Sequence, residues 1–248
     1  MHRFYADEPL KEPGQRVTLS PEESHHAAKV LRLNPGEEVQ LLDGLNLWSG
    51  TLEEVSDKKT IARIASLCES PESPVHVTLL QGLPKAEKME WILQKATELG
   101  VWKILPVETE RSIPKASRLQ DKQERWQKIA LEAAKQSGRA HVPEIAAPVS
   151  WSKLKPTLQK EHYDLILTAW EEEHTLSMTE AVQACTRQHG RPESVLIVIG
   201  PEGGLTAEEC GFFQEMGGMN ITLGRRILRT ETAGLCALSV LWSVLGEM

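Results

Sequence analysis

The chain has 248 residues, 40% of them hydrophobic and 25% charged, which is typical of a folded globular protein and argues against a disordered one. Its formal charge of -7 argues against a general nucleic-acid coat protein, because such proteins neutralise many phosphates and are basic. An acidic protein can still bind RNA through a local basic patch.

The first 70 residues have the pattern of short strands interrupted by one helix. The β-prone runs occupy residues 39–44, 45–55 and 60–65. Ser20 is an N-cap candidate, followed by Pro21 at the first helical position and Glu23 at the third, and the helix is expected to end near Leu33. Several strands with one helix predict a small β-barrel, and the proline-containing polar segment at residues 69–74 predicts a linker.

From residue 74 onward, strands and helices alternate. The predicted strands occupy residues 75–80, 104–107, 164–168, 195–199 and 221–223. The predicted helices occupy residues 86–99, about 118–137 and 233–245. Most of these strands are near-continuous apolar runs, as in a parallel sheet covered on both faces. The alternation predicts an α/β domain over residues 74–248.

The strand at residues 195–199 runs into a loop with three glycines in five residues, Gly200, Gly203 and Gly204. Glycine permits positive φ and a close approach of backbone to a ligand. Thr206 then caps a helix, with Glu209 as its capping-box partner. The spacing matches neither the dinucleotide fingerprint nor the P-loop, so it does not indicate a nicotinamide cofactor or ATP. A plain strand-to-helix turn is the alternative.

A second unusual loop, residues 223–234, leads into the apolar C-terminal helix. It carries three arginines and Glu231 beside the apolar pair Ile227 and Leu228, a mixture that a solvated turn does not need. The apolar pair can flank an adenine ring while backbone groups bind its edge. Ligands of open α/β sheets bind beyond the carboxyl ends of the strands, and we expect the two glycine loops to end neighbouring strands there.

Together these loops resemble those of the knotted methyltransferases of the SPOUT class, and more closely those of the small-subunit ribosomal RNA methyltransferase E family. The specific motifs are IGPEGGL at 199–205 and LGRRILRTETA at 223–233. Further similar segments are HRFY at 2–5, HHAAKVLR at 25–32, KAEKMEWILQKATELG at 85–100, TERS at 109–112 and EAAKQSGR at 132–139. Lys135 departs from the family pattern, in which an acidic residue is common.

The resemblance implies an α/β fold with two domains: a PUA-like β-barrel that binds RNA at residues 1–70, and a SPOUT methyltransferase domain with a trefoil knot at residues 74–248. It also implies a homodimer and methylation of uridine N3 in 16S ribosomal RNA of the small subunit. The cofactor would be S-adenosylmethionine, bound in the knot. The residues that would hold it are Leu167, Thr168, Ile199, Gly200, Pro201, Glu202, Gly203, Gly204, Leu223, Gly224, Ile227, Leu228, Arg229, Glu231, Thr232 and Ala233.

Methylation at N3 requires loss of the N3 proton. Glu202 or Glu231 can accept it, or Arg111, Arg139 or Arg229 can stabilise the negative charge that develops on the base oxygens. The sequence does not separate these roles. No metal is needed, and the eight histidines show no metal-ligand spacing.

RNA binding is expected to involve a basic segment at residues 111–139, which has eight Lys/Arg against three Asp/Glu, a local charge of +5. The candidate RNA-binding residues are Arg3, Lys29, Arg32, Arg111 and Arg139.

Two other functions stay open. A catalytically silent RNA-binding assembly factor would bind no cofactor, and a different α/β enzyme would prefer ATP or NAD. The four cysteines are expected to be buried free thiols. The first residues lack a signal-peptide core and residues 233–245 are too short to span a bilayer, so a cytoplasmic, non-membrane location is expected.

Overall fold

A computed structural model describes all 248 residues of the chain, which divides into two compact units. The units are Met1–Glu72 with Ala134–Val142, and Ser73–Ala133 with Pro143–Met248. The sequence pattern places residues 134–142 in the second domain, whereas the structure groups them with the first. The reason is local: Glu72 accepts hydrogen bonds from the backbone N–H groups of Ala140 and His141, at 2.8 and 3.1 Å.

The first unit contains a five-stranded sheet in the order β1-β3-β4-β5-β2. Its strands are β1 (His2–Tyr5), β2 (Arg16–Thr18), β3 (Glu38–Leu42), β4 (Leu47–Val55) and β5 (Thr60–Leu67). Strands β1 and β3 are parallel, and the other pairs are antiparallel. The three predicted strands are confirmed, but β1 and β2 were not predicted, because four and three residues are too few to establish a period. Phe4, Leu41 and Ile64 pack in the core of this unit.

The helix of the first unit is shorter than predicted. Helix α1 (Pro21–His25) begins as expected, with the Ser20 hydroxyl accepting from the Glu23 N–H at 3.1 Å. It then widens into a π-helical turn at His26–Val30, and Arg32 takes a positive φ of 54°. The predicted end near Leu33 was therefore wrong. The N–H of Leu33 instead bonds the carbonyl of Ala27, and its side chain packs in the core.

The second unit contains a seven-stranded sheet in the order β12-β10-β11-β6-β7-β8, with β9 also paired to β7. Its strands are β6 (His76–Gly82), β7 (Lys103–Glu108), β8 (Glu144–Ile145), β9 (Val149–Ser150), β10 (Leu165–Ala169), β11 (Ser194–Ile199) and β12 (Met219–Ile221). Every pair is parallel. The predicted parallel sheet is confirmed, and its central strands are buried as their apolar composition indicated.

Helices cover both faces of this sheet. The helices after α1 are α2 (Lys88–Glu98), α3 (Gln123–Ser137), α4 (Trp151–Leu158), α5 (Met178–His189), α6 (Ala207–Glu215) and α7 (Thr230–Leu245). Helix α7 packs against α2, α5 and β11, while Phe212 and Phe213 of α6 pack with Leu154 of α4 on the opposite face. Helices α4 and α5 were not predicted. None of the helices is long and apolar enough to cross a bilayer.

All four cysteines are free, as expected, but only two are buried. Cys185 and Cys210 are buried, whereas Cys68 and Cys236 are partly exposed. Burial raises the pKa of the Cys210 thiol to about 12. The described residues include no group of three or more His, Cys, Asp or Glu side chains that could hold a metal ion.

Candidate cofactor and catalytic site

Three loops leave the carboxyl ends of parallel strands at one edge of the second sheet. They follow β6, β11 and β12. The prediction that the two glycine loops end neighbouring strands was wrong, because β10 lies between β11 and β12. The strand that pairs with β11 is β6. The loop that follows β6 was not predicted to take part in the site.

A buried hydrogen-bond chain joins these three loops. The Thr230 hydroxyl, at the start of α7, donates to the Gly200 carbonyl at 2.6 Å and accepts from Gln81 Nε2 at 2.9 Å. The Gln81 amide also donates to the Gly82 carbonyl at 3.0 Å. Gln81 is fully buried and Thr230 is 6% exposed, so these bonds are shielded from water. Neither residue was predicted; the signal was a glutamine near the end of a buried strand.

Close backbone contact brings the loop after β11 against the end of β6. A Cβ atom on Gly82 would lie 2.6 Å from the nitrogen of Pro201, so only glycine fits there. A Cβ atom on Gly200 would lie 2.8 Å from the carbonyl carbon of Gly204. Of the three predicted loop glycines, Gly204 alone has a positive φ, 71°. The expected close approach therefore occurs at Gly200, and the expected left-handed backbone at Gly204.

Arg111 lies against the same loop. Its Nη1 donates to the Gly203 carbonyl at 3.0 Å and lies 3.8 Å from Glu171. A Cβ atom on Gly204 would overlap the Glu171 carboxylate, which covers the far side of the turn. The structure thus brings Arg111, 92 residues away in sequence, to the first glycine loop with its side chain still partly exposed.

The predicted capping box after this loop is confirmed. Thr206 accepts from the N–H of Glu209, and the Glu209 carboxylate accepts from the N–H of Thr206. Glu209 also accepts from the N–H of Glu110 at 2.9 Å, after β7. One buried carboxylate therefore fixes both the start of α6 and the segment that carries Arg111.

An ionic cluster connects the loops at the surface. Lys88 Nζ lies 3.0 Å from Glu202 and 3.1 Å from Glu231. Glu202 also accepts from the N–H of Lys85 at 3.1 Å, and Arg229 lies 4.0 Å from Glu231. Lys88 was not predicted. The structure brings Glu202 and Glu231 together through Lys88. Both glutamates were predicted as candidate bases.

The same cluster determines the ionisation of both glutamates. Partial burial acts to raise the pKa of Glu202, but the hydrogen bond from Lys88 and backbone N–H groups lower it below its usual value overall. Burial likewise opposes ionisation of Glu231, yet the bonds from the backbone and Lys88 leave its pKa lowered. The bond to Glu202, then that to Glu231, raises the pKa of Lys88. All three groups are therefore charged at neutral pH.

The loop after β12 contains backbone N–H groups without a hydrogen-bond partner and apolar side chains that are exposed or partly exposed. Gly224 has a φ of 111°, with open space where a side chain would stand. Ile227 is 88% exposed and Leu228 is partly exposed. The chain makes no hydrogen bond to the N–H groups of these two residues. This arrangement fits a bound planar ring whose edge would accept hydrogen bonds from the free N–H groups.

The remaining predicted cofactor residues lie on the strands and on α7. Leu167 and Ile199 are buried strand residues, and Thr168 is fully buried with a hydroxyl that lacks a partner. Leu223 is partly buried, while Thr232 is exposed and Ala233 buried in the first turn of α7. An unpartnered hydroxyl near the end of β10 is a group that a bound ligand or water can satisfy.

Arg139 has a buried side chain, and its expected role at RNA stays a prediction. It belongs to the first unit, is 6% exposed, and bonds Glu72 through Nε at 3.1 Å and Nη2 at 2.6 Å. The guanidinium is therefore paired with a carboxylate of the same unit. The residue follows a helix end, as predicted, but the side chain turns inward.

The other candidate RNA-binding residues of the first unit differ in exposure. Lys29 and Arg32 are exposed. Arg3 is partly buried, donates to Gln40 at 2.6 Å, and lies over Gly138, where any side chain would collide with its guanidinium.

Two family models match the chain. One, described as an RNA methyltransferase domain, matches residues 71–242. The other, described as an RNA methyltransferase PUA domain, matches residues 19–65.

Relatives that carry one name match nearly the whole chain. Ribosomal RNA small subunit methyltransferase E from Bacillus subtilis is 38% identical, covering 93% of this chain and 91% of that protein. The Synechocystis protein of the same name is 34% identical, covering 90% and 71%. A crystal structure of ribosomal RNA small subunit methyltransferase E from Neisseria gonorrhoeae, bound to S-adenosyl methionine, is 32% identical. It covers 98% of this chain and 97% of that one, with a TM-score of 0.81.

Proposed function

The chain belongs to the ribosomal RNA small subunit methyltransferase E family, and from this membership we propose that it transfers a methyl group from S-adenosylmethionine to N3 of a uridine in 16S ribosomal RNA. The observation that carries the proposal is the junction of three loops at the carboxyl edge of the parallel sheet, joined by Gln81, Thr230 and Gly200. Such an edge is where open α/β sheets bind ligands.

The cofactor is assigned to the space between the loops after β11 and β12. The free N–H groups of Ile227 and Leu228 would hold the adenine edge, and the backbone of Gly203 would line the opposite wall. When bound, S-adenosylmethionine supplies a methyl group activated by its sulfonium. We assign this unit to the SPOUT class with a trefoil knot. The return of the chain from edge strand β12 to Gly200 of the β11 loop supports that assignment.

The residues around this space can accept a proton and stabilise negative charge during the reaction. Glu202 or Glu231, both ionised, accepts the N3 proton of uracil. Arg229, 82% exposed, stabilises the negative charge that develops on the base oxygens. Arg111 already donates to Gly203, so we assign it to positioning the loop and to RNA contact.

RNA binding and oligomeric state complete the proposal. Exposed Lys29 and Arg32, with Arg3, would contact RNA from the PUA unit. A homodimer is proposed through α7, whose Leu235, Val240, Val244 and Leu245 are apolar and only partly buried. The enzyme would act in the cytoplasm, where small ribosomal subunits are assembled.

The test is mass spectrometry of 16S rRNA from a strain that lacks the protein. Loss of one N3-methyluridine, restored by the wild-type chain, is expected. Purified protein should also bind S-adenosylmethionine and transfer its methyl group to small subunits from that strain. RNA binding without transfer would instead indicate a silent assembly factor, and preference for ATP or NAD would indicate another enzyme class.

A further inference from the structure

Lys88 is the one side chain that contacts carboxylates from both loops assigned to the cofactor. It is the first residue of α2, directly after the loop from β6. Its Nζ lies 3.0 Å from Oε1 of Glu202, in the loop after β11, and 3.1 Å from Oε2 of Glu231, in the first turn of α7. No residue of α2 other than Lys88 has an ion pair to these loops.

The two carboxylates need a shared cation. Because both lie about 3 Å from one ammonium, they are close to each other, and like charges at such a distance repel. Their side-chain exposures are 26% for Glu202 and 16% for Glu231, so water screens this repulsion only in part. Arg229, at 4.0 Å from Glu231 and mostly exposed, compensates only weakly.

The position of the lysine is not explained by its own helix. A cation in the first turn of a helix is disfavoured by the positive end of the helix dipole. Lys95, on the same helix, has an ordinary local pair with Glu98 in the last turn. Lys88 therefore occupies a position that the helix dipole disfavours. Its contacts with the two glutamates compensate for this unfavourable interaction.

We propose that Lys88 is a positioning residue, which holds the loops after β11 and β12 together and fixes the carboxylates of Glu202 and Glu231 at the edge of the cofactor space. This role rests on the proposed function, because the loops are cofactor loops only if the chain binds S-adenosylmethionine. The buried chain through Thr230 joins the loops from inside, and Lys88 joins them at the surface.

The charge of Lys88 has a consequence for the pH dependence of the reaction. The ammonium acts to lower the pKa of both Glu202 and Glu231. Without it, both pKa values rise, so protonation of either carboxylate begins at a higher pH. The facing charged groups are Lys88 itself, Arg229 and the two glutamates.

The experiment compares Lys88→Met with Lys95→Met, which removes the same charge from the same helix away from the site. Calorimetry of S-adenosylmethionine and the pH profile of kcat/KM on small subunits are measured for both. Lys88→Met is expected to weaken cofactor affinity about 10-fold and to move the acidic limb of the profile to higher pH. Lys95→Met should match the wild type.

A charge-rescue variant separates coupling from packing. If the ammonium balances two carboxylates, Lys88→Met combined with Glu202→Gln should bind the cofactor nearly as well as Glu202→Gln alone. Lys88→Arg should keep most of the affinity. Equal behaviour of Lys88→Met and Lys95→Met, or additive losses in the double variant, would overturn the proposal. Wild-type protein that binds no S-adenosylmethionine would instead overturn the proposed function.

Discussion

Replacing Gly82 by alanine should displace the loop after β11. The new Cβ atom would stand 2.6 Å from the nitrogen and Cδ of Pro201, whereas ordinary contact begins at 3.4 Å. The loop must therefore move by the difference, about 0.8 Å, because the neighbouring atoms belong to a proline ring and backbone rather than to a flexible side chain. No such shift is available to Gly82 itself, which is paired with Val107 in the sheet.

The displacement should reduce both activity and stability. A misplacement of about 1 Å in a reacting group can cost about 100-fold in rate, so kcat/KM should fall by about that factor. Overpacking of this kind lowers the free energy of unfolding by about 1–3 kcal/mol. The assay is methyl transfer to small subunits lacking the modification, with calorimetry of S-adenosylmethionine and a thermal melt.

Gly211→Ala is the matched control. Gly211 lies in α6, and a Cβ atom there would meet nothing within 4 Å, so alanine should be neutral or stabilise by about 0.5–1 kcal/mol. If Gly82→Ala bound S-adenosylmethionine and turned over as well as Gly211→Ala did, the close contact with Pro201 would have no role in the site.

Three further outcomes are expected. Gly203→Val should fold but lose S-adenosylmethionine binding, because its Cβ would lie 3.0 Å from that of Arg111, so that the loop or Arg111 must shift; normal calorimetric affinity would contradict this. Arg139→Ala should lower the free energy of unfolding in urea by about 3–5 kcal/mol, since it leaves Glu72 buried without its cation, while cofactor affinity stays unchanged; an unchanged urea midpoint with lost RNA binding would restore the surface role. Light scattering should give twice the 27.7 kDa chain mass at micromolar concentration, and a monomer there would exclude the α7 dimer.

Features that depend on short stretches of sequence could be predicted. Apolar runs indicated β10 and β11, and the Thr206 capping box indicated the start of α6 to the residue. The glycine content of the loop after β11 indicated close backbone packing, although the positive φ proved to belong to Gly204 alone. These signals are local because caps, periods and turns involve residues a few positions apart.

Features that join distant segments could not be predicted. The bond from Gln81 to Thr230 spans 149 residues, and the pair of Arg139 with Glu72 spans 67. Strand order is another such feature, and it refuted the expectation of neighbouring glycine loops. A buried arginine and an exposed one have the same sequence signature at a helix end, so only a tertiary partner distinguishes them.

The bond between Gln81 and Thr230 also determines when the site can exist during synthesis. Gln81 and the glycine loop leave the ribosome before α7, which supplies the hydroxyl that joins them. Loops closed by such distant residues form late in folding, because the entropy of closure must be lost before the contact is gained. The complete site should therefore require α7, and a nascent chain arrested before Thr230 should not retain S-adenosylmethionine.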